Sequence, residues 1–226
     1  MLTTCKGRRH PYSLWALGCL AMMASLPVQA ATVSVTDNAG IPLENAVIEV
    51  YYDTSTSAET LTKNIVQRDA AFNPQVTTIP TGSYVAFPNE DTTRHHVFSF
   101  SPAKTFNLEL FLSETPPPVH FEQAGVVVLG CNIHDQMQAF IVVSDAPYAA
   151  LTNSAGTLEL PELPAGSHRM RVWHSRMDDS QTVWWEGEIS DADNTTVALT
   201  LNAIPRQPPT LSPLQQRFQN ATTHSH

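Results

Sequence analysis

The sequence is poor in cysteine and in basic residues. It has 3 Cys among 226 residues, and its 12 Lys and Arg stand against 21 Asp and Glu, which gives a net charge of −9. Nucleic acid and anionic lipid both carry negative charge, so an acidic chain of this kind is a poor partner for either. We therefore expect no nucleic-acid partner and no binding to an anionic membrane surface.

Long apolar segments are also scarce, and the one near the N-terminus has the features of a secretory signal peptide. The basic residues that precede it are Lys6, Arg8 and Arg9. The run LWALGCLAMMASL follows, and then VQA, which ends at Ala30 with small residues suited to cleavage. The run is too short to span a bilayer, so we expect cleavage near Ala30, export to the periplasm and no membrane span. A buried N-terminal helix and lipidation at Cys19 are the alternatives.

Removal of residues 1–30 changes both the charge and the cysteine count. It would leave 9 basic against 21 acidic residues, a net charge of −12, and a single cysteine, Cys131. A lone thiol in an oxidising compartment has no disulfide partner within its own chain. Cys131 is therefore expected to be buried and inert, paired between chains, or bound to a metal.

Helix-forming patterns are weak, and short strand patterns fill most of the chain. Alternating or β-branched segments such as ATVSVTD, AVIEVYY, GVVVLG and TTVALTLN recur between turn residues, and the chain has 17 Pro. Many short strands at regular spacing predict an all-β sandwich architecture. The polar, proline-rich residues 204–226 predict a disordered tail.

The segment GVVVLGCNIHDQM carries three potential metal ligands at a spacing of three residues. These are Cys131, His134 and Met137. A thiolate, two imidazoles and a weak axial thioether are the ligand set of a blue-copper electron-transfer site. The second imidazole would come from FPNEDTTRHHVFSF, which offers His95 and His96. Zinc is an alternative because Cys and His also suit it, although a thioether ligand favours copper.

At these residues the chain resembles the cupredoxins, the family of plastocyanin and amicyanin. The pattern N-x-D-x-x-x-H-x-V is matched by Asn89, Asp91, His95 and Val97, and C-x-x-H-x-x-M by Cys131, His134 and Met137. The resemblance covers residues 64–144. It implies a Greek-key β-sandwich that holds one type 1 copper through His95, Cys131, His134 and Met137.

The chain departs from the family pattern at three positions that flank the ligands. Many relatives have an aromatic residue before the Cys and a Pro before the following His, where this chain has Gly130 and Ile133. A Pro commonly precedes the first His, where this chain has Arg94. These departures bear on the tuning of the copper.

The choice between His95 and His96 rests on two opposing arguments. Residues alternate faces along a strand, and His96 would share the face of Phe98 and Phe100, which looks like a core face. The motif spacing favours His95, and we assign the ligand to His95 on that basis.

A second resemblance flanks the first. Residues 33–50 and 151–174 are similar to the two halves of the small β-sandwich of carboxypeptidase regulatory-like domains. The matched positions of the first half are Val35, Asp37, Gly40, Pro42, Leu43, Ala46 and Ile48. This implies a sandwich formed by residues 31–63 and 145–203, with the copper domain of residues 64–144 inserted into it. Two consecutive domains are the alternative.

Taken together, these features predict an exported type 1 copper protein that carries single electrons and is not an enzyme. Proteins of this kind are commonly labelled methylamine utilization protein, but the label does not show that this chain handles methylamine. Its acidic charge favours a basic redox partner, such as a cationic cytochrome, through electrostatic steering, and the resemblance implies His134 as the electron portal. The alternatives are a periplasmic copper carrier or storage protein without redox cycling and a structural module without metal. A copper enzyme would need a further His cluster for a second centre, and the sequence offers none.

Overall fold

The computed structural model describes residues 31–55, 58–111, 115–190 and 194–202. The predicted signal peptide, the Cys19 alternative and the predicted tail 204–226 lie outside these residues. The regular structure of the described residues is β-strand throughout, and none of them belongs to a helix with the length and hydropathy to cross a membrane. The strands are β1 Thr32–Asp37, β2 Val47–Tyr51, β3 Thr62–Asn64, β4 Val66–Arg68, β5 Ala71–Asn73, β6 Val76–Pro80, β7 Ser83–Ala86, β8 His95–Ser101, β9 Lys104–Phe111, β10 Val119–Phe121, β11 Gly125–Gly130, β12 Gln138–Ser144, β13 Tyr148–Leu151, β14 Thr157–Glu159, β15 Ser167–Trp173, β16 Trp185–Ser190 and β17 Thr195–Leu199.

The middle of the chain forms two sheets that enclose one apolar core. One sheet has the order β6-β12-β11-β8-β9 and the other the order β10-β7-β3. Fully buried Phe87, Phe121 and Leu129 belong to the core between them. A short hairpin of β4 and β5 completes this part. The core forms because alternate residues of each strand are apolar and point to the same side.

The two ends of the described chain pair with each other in a second pair of sheets. Strand β1 lies between β14 and β17, and β2 lies between β13 and β15 in the order β13-β2-β15-β16. Their inward residues form a separate apolar cluster that includes Ile48, Met170 and Val197. The boundaries of the two predicted domains stay a prediction.

Strand β12 is buried on both faces, because it lies between the apolar core of the middle part and a third cluster shared with the second pair of sheets. Ala139 and Ile141 point into the middle core. Phe140 and Val142 point the other way and pack with Trp173, whose ring centroid lies 5.6 Å from that of Phe140. Aromatic pairs at this separation add specific contact energy to the burial of their surface.

The all-β class and the sandwich architecture are thus confirmed. The expectation that Phe98 and Phe100 define a core face of β8 is wrong. His95, Val97 and Ser99 are buried, whereas Phe100 is 77% exposed. Strand alternation separates the two faces correctly, but it does not say which face is covered.

Candidate metal centre

The loop of residues 131–137, which carries three of the predicted ligands, begins where β11 ends. Cys131 follows the last residue of β11 and is 6% exposed. Its sulfur accepts a hydrogen bond from the backbone N–H of Ile133 at 3.4 Å. The backbone N–H of Met137 donates to the carbonyl oxygen of His134 at 2.9 Å, so the loop turns back and enters β12. These short-range contacts keep Cys131, His134 and Met137 on one compact turn.

His95 is the first residue of β8 and is fully buried. Its Nε2 lies 2.7 Å from Oδ2 of Asp91, and its Nδ1 lies 3.9 Å from Sγ of Cys131. A carboxylate only accepts hydrogen bonds, so the proton of a neutral His95 ring belongs on Nε2. The lone pair of Nδ1 is then directed toward the cysteine sulfur.

His134 brings the second imidazole to the same place. The centroid of its ring lies 5.1 Å from that of His95, at an interplanar angle of 48°. Its Nδ1 is buried and has no hydrogen-bond partner among the described residues. Buried polar atoms are nearly always paired, so an orphaned imidazole nitrogen needs an explanation such as an ion.

The structure therefore brings together three of the four sequence-predicted ligands. One potential ligand atom from each of His95, Cys131 and His134 lies within 4.8 Å of the other two. Met137 is 2% exposed and packs in the same apolar cluster as Cys131. That His95, Cys131, His134 and Met137 bind a metal remains a prediction.

Asp91 fixes the orientation of His95. Its Oδ1 accepts the backbone N–H of Asp69 at 2.7 Å, and its Oδ2 accepts that of Ala70 at 3.0 Å in addition to His95. Burial opposes the charge of this carboxylate, but the hydrogen bonds from Ala70, His95 and Asp69 outweigh burial and lower the pKa of Asp91 below its ordinary value. A carboxylate that holds the distal nitrogen of a histidine is a common support for a metal ligand.

The two N–H groups that point at Asp91 come from a tight turn between β4 and β5. Asp69 and Ala70 both have positive φ, at 55° and 53°. Two such residues form the hairpin turn whose twist matches that of the flanking strands. Left-handed backbone is unfavourable for alanine, and the contacts to Asp91 help to stabilise it there.

Asn89 holds the turn that leads into β8. Its Oδ1 accepts the backbone N–H of Asp91 at 3.0 Å. Its Nδ2 donates to the carbonyl oxygens of Thr93 at 2.9 Å and Phe111 at 3.1 Å. Both polar residues of the N-x-D motif therefore act in placing His95.

His96 lies on the opposite face of β8 and is not part of the cluster. Its Nδ1 is 2.7 Å from Nδ2 of Asn132, and its Nε2 contacts Oδ1 of Asn107. The ring thus connects β8 and β9 to the loop of residues 131–137. Asp135 in that loop is exposed.

Three further histidines have partners away from the cluster. His120 contacts the carbonyl oxygen of Gly82 at 3.1 Å and His168 that of Pro164 at 2.6 Å. His174 accepts the backbone N–H of Arg176 at 3.2 Å. All three rings therefore lie outside the group formed by His95, Cys131 and His134.

The donor set fits a soft transition metal. Ligand atoms that share one tetrahedral ion through bonds of about 2.0–2.3 Å lie roughly 3.3–3.8 Å apart, slightly less than the 3.9 Å between Sγ of Cys131 and Nδ1 of His95. The orphaned Nδ1 of His134 supplies a third donor. One thiolate and two imidazoles suit copper and also zinc.

The comparisons with known proteins give partial structural likenesses. A copper-containing nitrite reductase from Thermus scotoductus is 24% identical over 42% of this chain, with a TM-score of 0.35, and the match spans 25% of the reductase. Amicyanin from Paracoccus versutus is 18% identical over 43% of this chain and 97% of its own length, with a TM-score of 0.33. A copper(I) amicyanin variant is 15% identical over 37% of this chain and 82% of its own, with a TM-score of 0.34. No family model and no curated protein matches the chain.

Sequence reasoning included Asp91 in a motif but gave it no role. Its spacing of four residues from His95 was the available signal, because a turn over this spacing brings the two side chains together. The contribution of the Asp69–Ala70 turn had no sequence signal, because these residues lie more than twenty positions away from Asp91.

Proposed function

We propose that this chain is an exported copper protein that carries single electrons between periplasmic redox partners. One type 1 copper would be held by the sulfur of Cys131, the Nδ1 atoms of His95 and His134, and the thioether of Met137. Bound copper would supply the one-electron exchange between Cu(I) and Cu(II).

The observation that carries this proposal is the convergence of the three donors at a buried position. Nδ1 of His95 faces Sγ of Cys131, and Nδ1 of His134 is buried with no hydrogen-bond partner in the described part of the chain. A purely structural role for these residues would leave the imidazole nitrogen unsatisfied at a cost of about 1–3 kcal/mol. An ion that accepts its lone pair removes that cost.

The protein residues contribute a fixed and largely buried environment. His95 is held by Asp91, and Asp91 is held by two backbone N–H groups. Cys131 and Met137 pack in the apolar core and are only 6% and 2% exposed. Donors that cannot rearrange favour electron transfer, since little reorganisation then accompanies the change in charge.

The first test is the visible absorption spectrum of residues 31–226 after loading with Cu(II), beside the Cys131→Ser variant. We expect an intense thiolate-to-copper band that is lost in the variant, because a hydroxyl cannot replace the thiolate. No colour, or the faint blue of ordinary Cu(II) in both proteins, would refute the proposal and favour zinc or a structural module. The reduction potential and the copper release rate then separate an electron carrier from a copper carrier or storage protein, which would release copper readily and cycle slowly.

We also propose that the copper domain is inserted into a second small sandwich. Strand pairing supports this, because β1 and β2 pair with β13, β14, β15 and β17 from the other end of the chain. Since β3 pairs with β7, the proposed boundary moves to the residues before Thr62. Limited proteolysis that releases a stable fragment near residues 62–144 would support the insertion, and cleavage between two stable consecutive halves would contradict it.

A further inference from the structure

A cleft of about 700 Å³ lies directly beside the candidate metal centre. Cys131 and Met137 form part of its lining. Phe98 and Phe100 of β8 form a second part, and Ser180, from the loop between β15 and β16, forms a third. The cleft is therefore lined by predicted ligands and by residues of both sandwiches.

The wall formed by β8 is aromatic and unusually open to solvent. Phe100 is 77% exposed, more than any other large apolar side chain of the described residues. Its ring centroid lies 5.2 Å from that of Phe98. Exposed apolar patches of this kind mark binding surfaces more often than folding requirements.

Phe98 brings this aromatic surface close to Cys131. Its ring covers Gly130, the residue before the cysteine, so closely that a Cβ added there would lie 2.8 Å from the ring. Gly130 stands where many cupredoxins have an aromatic residue. The open aromatic surface is thus separated from the backbone of Cys131 by a single glycine.

The charge of the cleft is negative. Asp135 is the only charged side chain among the described residues that line it. The loop that supplies Ser180 also carries Asp178 and the exposed Asp179, and a hydrogen bond from Ser180 is the main cause that lowers the pKa of Asp178. The one basic residue of that stretch, Arg176, points its guanidinium at the carbonyl oxygen of Asn202 at 3.4 Å.

We infer that this cleft is the docking site for a basic segment of a redox partner protein. The inference rests on the proposed function, since it assumes that the partner exchanges electrons with the centre. Lysine and arginine combine an apolar stem with a cationic end. The stem suits the aromatic wall, the cation suits both the ring faces and Asp135, and the net charge of −9 steers a basic protein toward it.

The test is a calorimetric titration of the full chain with a basic cytochrome c as the probe, at low ionic strength. A succinylated form of the same cytochrome, whose lysines carry carboxylates, is the charge-reversed probe. We expect the basic form to bind and the succinylated form not to bind. Affinity should fall by about tenfold between 10 mM and 200 mM salt, because screening weakens the attraction between exposed charges.

Two variants locate the surface. Phe100→Ser should weaken binding by about tenfold, the loss typical of an aromatic anchor, and Asp135→Asn by a smaller factor that disappears at high salt. The matched controls, Ile41→Ser and Glu159→Gln, change exposed residues of the other sandwich and should bind like the unmodified chain. Phe100 is exposed, so its replacement should leave the fold intact, which circular dichroism would verify.

The inference is overturned if either cleft variant binds like the unmodified chain or if the controls weaken binding equally. It is also overturned if Phe100→Ser instead abolishes self-association, which would make a second copy the occupant. Titrating the metal-free chain with the same cytochrome measures docking without copper, so it tests the docking site separately from the proposed function. A chain that docks but gives no thiolate-to-copper band refutes the electron carrier only, and a blue chain that does not dock refutes the docking site only.

Discussion

The contact between Asp91 and His95 allows a sharp test of how the centre is built, through the variant Asp91→Asn. The carboxylate of Asp91 accepts three hydrogen bonds, from the N–H groups of Asp69 and Ala70 and from Nε2 of His95. An amide of the same shape keeps one oxygen and replaces the other by an NH₂ group. The NH₂ group then faces at least one N–H donor, and it has no lone pair with which to accept that hydrogen bond.

Where the NH₂ group replaces Oδ2, it faces both Nε2 of His95 and the backbone N–H of Ala70. His95 can relieve its own part of this conflict by moving its proton from Nε2 to Nδ1. Its Nε2 would then accept from the amide, but its Nδ1 would lose the lone pair that faces Sγ of Cys131. Variants of such supporting groups typically lower metal affinity by about 10- to 100-fold, or about 1.4–2.7 kcal/mol. The metal-free chain should also lose about 1–3 kcal/mol of unfolding free energy through the unsatisfied donor.

The assay is a competitive copper titration against a chelator of known affinity, together with urea unfolding of the metal-free chain. The matched control is Glu90→Gln, one residue away, whose carboxylate forms an exposed pair with Arg68 and should contribute less than about 1 kcal/mol. Unchanged copper affinity in Asp91→Asn would refute the argument that Asp91 sets the tautomer of His95. A loss of stability without a loss of affinity would restrict Asp91 to a structural role.

Three further predictions concern the second sandwich. Arg171→Met removes the guanidinium whose Nε lies 2.8 Å from Oε2 of fully buried Glu49. This variant should lower the free energy of unfolding by about 3 kcal/mol. The control is Arg169→Met on the same strand, whose nearest carboxylate is exposed and 4.0 Å away, and it should cost less than about 1 kcal/mol. Equal losses of the two variants in urea unfolding would contradict this prediction. Trp173→Ala should cost about 3–5 kcal/mol because it empties a fully buried site, and a loss below about 1 kcal/mol in the same assay would show that Trp173 does not anchor the shared cluster. Burial is the main cause that lowers the pKa of His174. Below a pH of about 6.5 the unfolded metal-free chain therefore takes up a proton that the folded chain does not. The free energy of unfolding should consequently decrease as the pH is lowered. His174→Asn should flatten this dependence in unfolding curves recorded from pH 5 to 8, and an unchanged slope would argue against it.

The local part of the site could be predicted from the sequence, and its surroundings could not. Cys131, His134 and Met137 lie within seven residues, so their spacing alone limits how far apart they can be. His95 needed the N-x-D spacing, because alternation along β8 gave the opposite answer. Aromatic residues usually mark the covered face of a strand, but here the aromatic face of β8 is the open one.

The reason for this failure lies in a neighbouring strand. Gly130 pairs with Phe98 across β11 and β8 and has no side chain, so the ring of Phe98 lies over its backbone instead of entering a core. The residue opposite a given strand position depends on the pairing register, which a single sequence does not specify. Contacts such as those of Asp69 and Ala70 with Asp91 fail to be predicted for the same reason.

The two faces of β12 explain why the loop of residues 131–137 depends on the second pair of sheets. The loop ends at Met137, and β12 begins at the next residue. One face of β12 contacts the core that contains Cys131, and the other face contacts Trp173 of the second sandwich. Because the strand is buried on both faces, it cannot slip by one residue without placing Phe140 in the wrong cluster. The position of the Met137 thioether is therefore fixed by packing with residues outside 64–144, and a fragment of residues 64–144 cut out of this chain would lose part of what holds Met137 in place.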